Sequence, residues 1–207
     1  MDPNKSFRVL ADQSFEIRKA DEGGGRTVVG YAAVFEVETD IGGYFREKIA
    51  KGAFTEALKT SDVHALYNHD YNRVLGRAKS GTLRMKEDDH GLKVEIDLPD
   101  TQEANDLAVK MERGDIDQMS FQFSMRDGKS TWDETGDEDL RIIEQVGELF
   151  DVSICPRGAY DQTECGLRTF EARQENLNKR RNFSAAQRRR RMKAKYYARR
   201  MGEGSKA

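Results

Sequence analysis

The apolar residues of this chain come mostly in short alternating runs, and that spacing limits the fold more than composition does. In "RGDIDQMSFQF", Met119, Phe121 and Phe123 fall on one side while Ser120, Gln122 and Ser124 fall on the other. A period of two marks a half-buried strand. "GTLRMKEDDHGLKVEIDLPD" reads as a hairpin, with Leu83 and Met85 before a turn at Asp88 to Gly91, and Leu92, Val94, Ile96 and Leu98 after it. "SFEIRKADEGGGRTVVGYAAVFEV" reads as two strands joined by a glycine-rich turn. "VHALYNHD" is a strand ending in polar residues. Two more strands are expected around Arg141 to Val146 and Leu149 to Cys155, the last closed by Pro156, which cannot donate to a sheet ladder.

Two stretches have helical spacing instead. A short helix is expected around Phe54 and Leu58. "DTQEANDLAVKMERG" has an apolar stripe of Ala104, Leu107, Ala108 and Met111, with Asp100 as cap, Glu103 three residues on, and Gly114 as terminator. "RDGKSTWDETGDED" is polar and expected to be a loop. The sum is an α+β domain, a mostly antiparallel β-barrel with a few flanking helices, ending near Arg168.

The 207 residues suffice for one sizeable core with appendages. The formal net charge of −2 hides a split. Lys179 to Ala207 hold 12 Lys/Arg and one acid, a net +11, which leaves −13 on residues 1–178. The expected division is therefore a domain over 1–168 and a basic tail over 169–207, helical or disordered. With 35% charged residues and a mean hydropathy of −0.83, no run approaches the ~18 apolar residues that span a bilayer. No membrane partner is expected. The N-terminal stretch lacks a basic-then-apolar signal layout, so no Sec export is expected. Cys155 and Cys165, without CxxC spacing, suggest reduced thiols; no metal site and no cofactor are expected.

A serine nucleophile needs a base within hydrogen-bond reach, because a free hydroxyl is almost never ionised near neutral pH. Histidine suits that role, with an ordinary pKa of ~6.5. Three are available. His90, in "EDDHGL", reads as a solvated turn residue. His64 and His69 differ by five positions, which puts them on opposite faces of an alternating strand. His69 is the better candidate, at the polar end beside Asn68 and Asp70. The residues alone leave Ser120 and His69 open as ordinary surface groups. A third member would orient the imidazole. Asp151 is the stronger choice, since carboxylates seldom sit in apolar strands without a partner; Glu148 reads as an exposed strand end. The competing account of Asp151 is an edge-strand charge that discourages aggregation. There is no HExxH and no GxSxG around Ser120, so neither a zinc protease nor an α/β-hydrolase elbow is expected.

The ordered blocks "GYAAVF", "YFREKIAKGAF", "LYNHD", "LGR", "GTLRMKEDDHGLKVEIDLPDT", "RGDIDQMSFQF" and "LFDVSICPRGAYDQT" resemble the prohead (capsid-maturation) proteases of tailed bacteriophages, over roughly Gly30 to Thr163. That resemblance implies a serine endopeptidase with a fold similar to herpesvirus assemblin, a small β-barrel ringed by helices. It places the family histidine on His69 and the family serine on Ser120. The acid before "VS" falls on Asp151, where the family more often has Glu. By the same likeness, "CPRGAY" is a candidate oxyanion loop supported by Arg157.

The implied substrates are scaffold or the scaffolding segment of the major capsid protein, and the enzyme itself, inside the assembling prohead in the host cytoplasm. Assemblin-like enzymes suggest a homo-oligomer. The tail, residues 179–200, would bind an acidic partner or nucleic acid, or merely keep an acidic body soluble. The alternative function is a catalytically silent capsid-assembly protein that keeps the protease fold.

Overall fold

The computed structural model describes residues 5–10, 15–19, 25–156, 169–175 and 177–179, and the single positions 183, 187, 189, 190 and 192. The chain divides into two compact units, Met1–Gly166 and Leu167–Ala207. In the second, the described positions are helical. No described helix is long and apolar enough to cross a membrane.

The first unit is mixed α+β and mostly strands. It runs β1 (Lys5–Leu10), β2 (Glu16–Lys19), β3 (Arg26–Val34), β4 (Thr39–Asp40) and β5 (Arg46–Ile49), then α1 (Ala57–Thr60). Next come β6 (His64–Tyr67), β7 (Asp70–Arg77), β8 (Leu83–Glu87) and β9 (Gly91–Leu98), then α2 (Gln102–Glu112). The series ends with β10 (Gln118–Ser124), β11 (Lys129–Asp133), β12 (Leu140–Gln145) and β13 (Glu148–Cys155).

These strands make three sheets, ordered β1-β10-β13-β6-β7, β11-β12-β5-β4 and β2-β3-β9-β8. None closes into a barrel, because closure would need the end strands to hydrogen-bond one another and they do not. Pairing is mostly antiparallel, but β13 with β6 and β12 with β5 run parallel.

Most of the spacing reads through. The expected hairpin is β8–β9, and β2 pairs antiparallel with β3. The α2 stripe of Ala104, Leu107, Ala108 and Met111 is buried. Two details differ. Thr101, not Asp100, caps α2: it is the residue with extended backbone, and its hydroxyl accepts from the Ala104 N–H. Glu103 pairs instead with Arg73. The polar stretch after β10 is not all loop, since residues 129–133 form edge strand β11. An edge strand needs only one apolar contact row, supplied here by Trp132 against Phe45, with ring centroids 5.1 Å apart.

The core gathers on the apolar face of β10. Met119, Phe121 and Phe123 are fully buried, and Phe121 meets the Phe54 ring edge-on at 5.4 Å. Burying one such ring is worth ~1.5–3 kcal/mol relative to exposure, so this face fixes which way β10 sits.

Beside it lies a buried ionic cluster that ties two sheets together. Glu47 of β5 accepts from Arg8 of β1, through Nε and through Nη2 at 2.8 Å, and from Arg141 Nη1 of β12 at 3.2 Å. The Arg8 guanidinium also lies 5.5 Å from the Phe123 ring centre. Burial alone would push the Glu47 carboxyl up, but the charges and hydrogen bonds of Arg8 and Arg141 more than offset it and hold the carboxyl below its ordinary value.

Replacing Glu47 by Gln leaves two buried guanidiniums without their counter-ion. We expect a loss of about 3–5 kcal/mol of stability at neutral pH, read from the urea midpoint. The folded pKa lies below the unfolded one, so Glu47's contribution is complete above about pH 4.5 and is lost as pH falls through the folded value. The gap between wild type and Glu47→Gln should therefore narrow in acid.

Candidate active site

The first element is a turn. Tyr67 pairs with Asp70 across the β6–β7 hairpin, which leaves Asn68 and His69 as a two-residue loop. Both are left-handed, with φ of 57° and 56°, as a type I′ turn requires at both central positions. Asn and His are among the non-glycine residues that tolerate this region best. The loop is tied to β13, where the Asn68 N–H donates to the Ile154 carbonyl at 2.9 Å and the His69 N–H donates to Ser153 Oγ at 3.1 Å. His69 thus lies past the end of the strand, and alternation does not set its direction.

The second element is the register of β10 on β13. Ser120 lies opposite Ser153, and Gln122 opposite Asp151. Directly opposed residues of an antiparallel pair point to the same face. The polar face expected to be solvated is instead buried: Ser120, Gln122, Ser124, Asp151 and Ser153 are all at most 6% exposed. Both faces of the strand are buried; β1 and β13 pair with its edges, and the His69 ring lies against Ser120 on the polar face.

The imidazole of His69 joins the two elements. Its Nε2 lies 2.7 Å from Ser120 Oγ, and its Nδ1 2.6 Å from Asp151 Oδ1. An ionised carboxylate only accepts, so Nδ1 carries the proton and donates to it. In the neutral ring Nε2 then accepts from the Ser120 hydroxyl. That hydroxyl has a second acceptor in reach, the Arg8 carbonyl of β1 at 2.8 Å.

The other sequence candidates separate cleanly. Asp151 is not an edge charge, since β13 runs between β10 and β6. Glu148 is exposed at the start of the strand. His64 packs edge-on against Tyr71 at 5.7 Å, and His90 is exposed in the β8–β9 turn. Arg157 lies outside the described residues, as do Cys165 and most of residues 179–200. For Ser153 the sequence offers one signal, a spacing of two from Asp151 that puts both on one face of a strand.

The charge of Asp151 is felt around it. The Tyr71 hydroxyl is pushed up to about 12 by burial, then by the charges of Asp151 and Glu148. The Cys155 thiol is pushed up to about 12 by burial, then by Asp151 and Asp117. A thiol so placed is protonated at neutral pH and is no rival to the serine. No cluster of three or more His, Cys, Asp or Glu suited to a metal occurs among the described residues. We expect Cys155 to stay unmodified when the folded protein meets iodoacetamide at pH 7.5, and to be labelled after denaturation, as read by peptide mass mapping.

No curated protein matches the chain at a significant level. Among solved structures, the capsid assembly protease gp21 of bacteriophage T4 is similar at 14% identity, over 73% of this chain and 97% of that one, with a TM-score of 0.49. The Caudovirus prohead serine protease family matches residues 13–179. With a match over most of its length, the chain belongs to the prohead serine proteases of tailed phages, the serine peptidases of capsid maturation.

Proposed function

We propose that Ser120 is the nucleophile, His69 the general base and Asp151 the orienting acid of an endopeptidase that cuts scaffold, or the scaffolding segment of the major capsid protein, and also itself. The observation that carries this reading is the unbroken run of contacts from Ser120 Oγ through both ring nitrogens to Asp151, at 2.7 and 2.6 Å.

In this mechanism His69 Nε2 takes the hydroxyl proton as Oγ bonds to the peptide carbonyl carbon. The imidazolium so formed is stabilised by the ionised Asp151. It then returns the proton to the leaving amine as the C–N bond breaks, and leaves an acyl-enzyme. A water molecule, deprotonated by the same nitrogen, releases the acid and restores the serine. Holding Oγ on a strand packed through three buried apolar side chains limits its wandering, which favours near-attack geometry.

Further parts of the proposal follow the family likeness. Arg157 orders an oxyanion loop, and copies of the chain associate. The three sheets, each open by itself, wrap together in an assemblin-like barrel. The basic segment 179–200 docks the enzyme on an acidic partner in the procapsid, with nucleic acid as the other candidate.

The test is co-expression with the phage's capsid and scaffold proteins, followed by intact-mass analysis. Ser120→Ala and His69→Ala should abolish processing while keeping the wild-type circular dichroism spectrum. Asp151→Asn should lower kcat by about 10⁴, through the wrong imidazole tautomer. Processing that persists unchanged in Ser120→Ala overturns the assignment in favour of a silent assembly protein. Deleting residues 179–207 should leave peptide cleavage intact and reduce incorporation into proheads; equal incorporation removes the docking role.

A further inference from the structure

Ser153 is fully buried, and its hydroxyl oxygen reaches both partners of the imidazole–carboxylate bond. It is 2.8 Å from Asp151 Oδ1 and 3.2 Å from His69 Nδ1, and it accepts the His69 N–H at 3.1 Å. Proton counting fixes what it donates to. Nδ1 already carries a proton aimed at Oδ1, so the single Ser153 proton has Oδ1 as its acceptor. Asp151 therefore receives two hydrogen bonds on Oδ1, while its buried Oδ2 has no partner among the described residues. Among the described residues those two are the hydrogen bonds that orient the carboxylate. The same oxygen also holds the backbone of a loop whose left-handed conformation is unfavourable for histidine.

We infer that Ser153 is a positioning residue of the site: one hydroxyl locks the Asp151 carboxylate and the His69 loop together, and so keeps the tautomer that leaves Nε2 free to accept from Ser120. This rests on the assignment of Ser120, His69 and Asp151 above. Without the hydroxyl, the bond to the ring is the one hydrogen bond left to the carboxylate among the described residues, and the group is freer to turn about its own axis. The His69 N–H loses its bond to the Ser153 oxygen as well. Both changes loosen the ring by a fraction of an ångström to an ångström, and a displacement of that size costs on the order of 10²-fold in rate.

The experiment follows inactivation of Ser120 by an alkyl fluorophosphonate on the full chain, a reaction that needs no knowledge of the natural substrate. Saturation kinetics separate kinact from KI. Ser153→Ala should lower kinact on the order of 10²-fold with KI unchanged. Ser153→Cys fills the space but donates poorly, and should be as slow as Ala, which separates the hydrogen bond from packing. Ser153→Thr keeps the hydroxyl and should restore the rate.

Proton NMR supplies a readout that stability alone would not move. The low-field Nδ1–H resonance of wild type should broaden or shift upfield in Ala and Cys and return in Thr. Wild-type kinact together with an unchanged low-field resonance in either Ala or Cys overturns the role of Ser153. A wild-type protein that never labels at Ser120 overturns instead the underlying assignment of the nucleophile.

Discussion

A polar strand face packed away from water is the constraint on which the site depends. Ser120, Gln122 and Ser124 on β10, with Asp151 and Ser153 on β13, are buried together, and buried polar groups are costly unless they find partners. Ser120 meets His69 and the Arg8 carbonyl, and Asp151 and Ser153 meet His69 and each other; Gln122 Oε1 and Asp151 Oδ2 have no partner among the described residues. A slip of one residue would turn Met119, Phe121 and Phe123 out of the core and Ser120 into it. Apolar packing on one face and the contacts of Ser120 on the other thus favour a single alignment, and that alignment sets Ser120 against Ser153 and Gln122 against Asp151.

The histidine reaches this face by a different device. A two-residue hairpin loop with both residues left-handed is an expensive place for an imidazole, and the cost is met by bonds from the loop to β13. β6 runs parallel to β13 and antiparallel to β7, so the loop opens at the end of the sheet where Ser153 and Ile154 lie. A tight turn on a central strand holds a ring more firmly than a long loop would, and the short contacts on both nitrogens reflect that.

Farther out, the Arg8–Glu47–Arg141 cluster joins the five-stranded sheet to the sheet of β5 and β12. It acts on the opposite side of β10 from the polar face, with the Arg8 guanidinium over Phe123. The same residue presents its carbonyl to Ser120 Oγ. At β1 the fastening of two sheets and the surroundings of the serine share one residue. Gly147, before β13, closes this end of the frame: a Cβ there would lie 1.7 Å from the Arg126 carbonyl oxygen, so only glycine allows the β12–β13 turn to pass so close.

Alternation and turn signals determined the strands β3, β8, β9, β10, β12 and β13 and the helix α2, because period two and period 3.6 are written directly in the spacing of Met119, Phe121 and Phe123 or of Ala104, Leu107 and Met111. Ordered blocks such as "LYNHD" and "RGDIDQMSFQF" also pointed to His69, Ser120 and Asp151. What alternation could not decide was direction and depth. It placed His69 on a strand face, when a left-handed turn carries it past the strand's end. It read β10 as half exposed and left Asp151 open as an edge charge, because which strands flank β10 and β13 depends on pairings remote in the chain. Only the tertiary structure brought Asp151 and Ser153 to the ring and left Glu148 exposed at the strand's start. Hydrogen bonds across 51 to 84 positions of sequence are set by sheet order and register, and neither is encoded in any local run of residues.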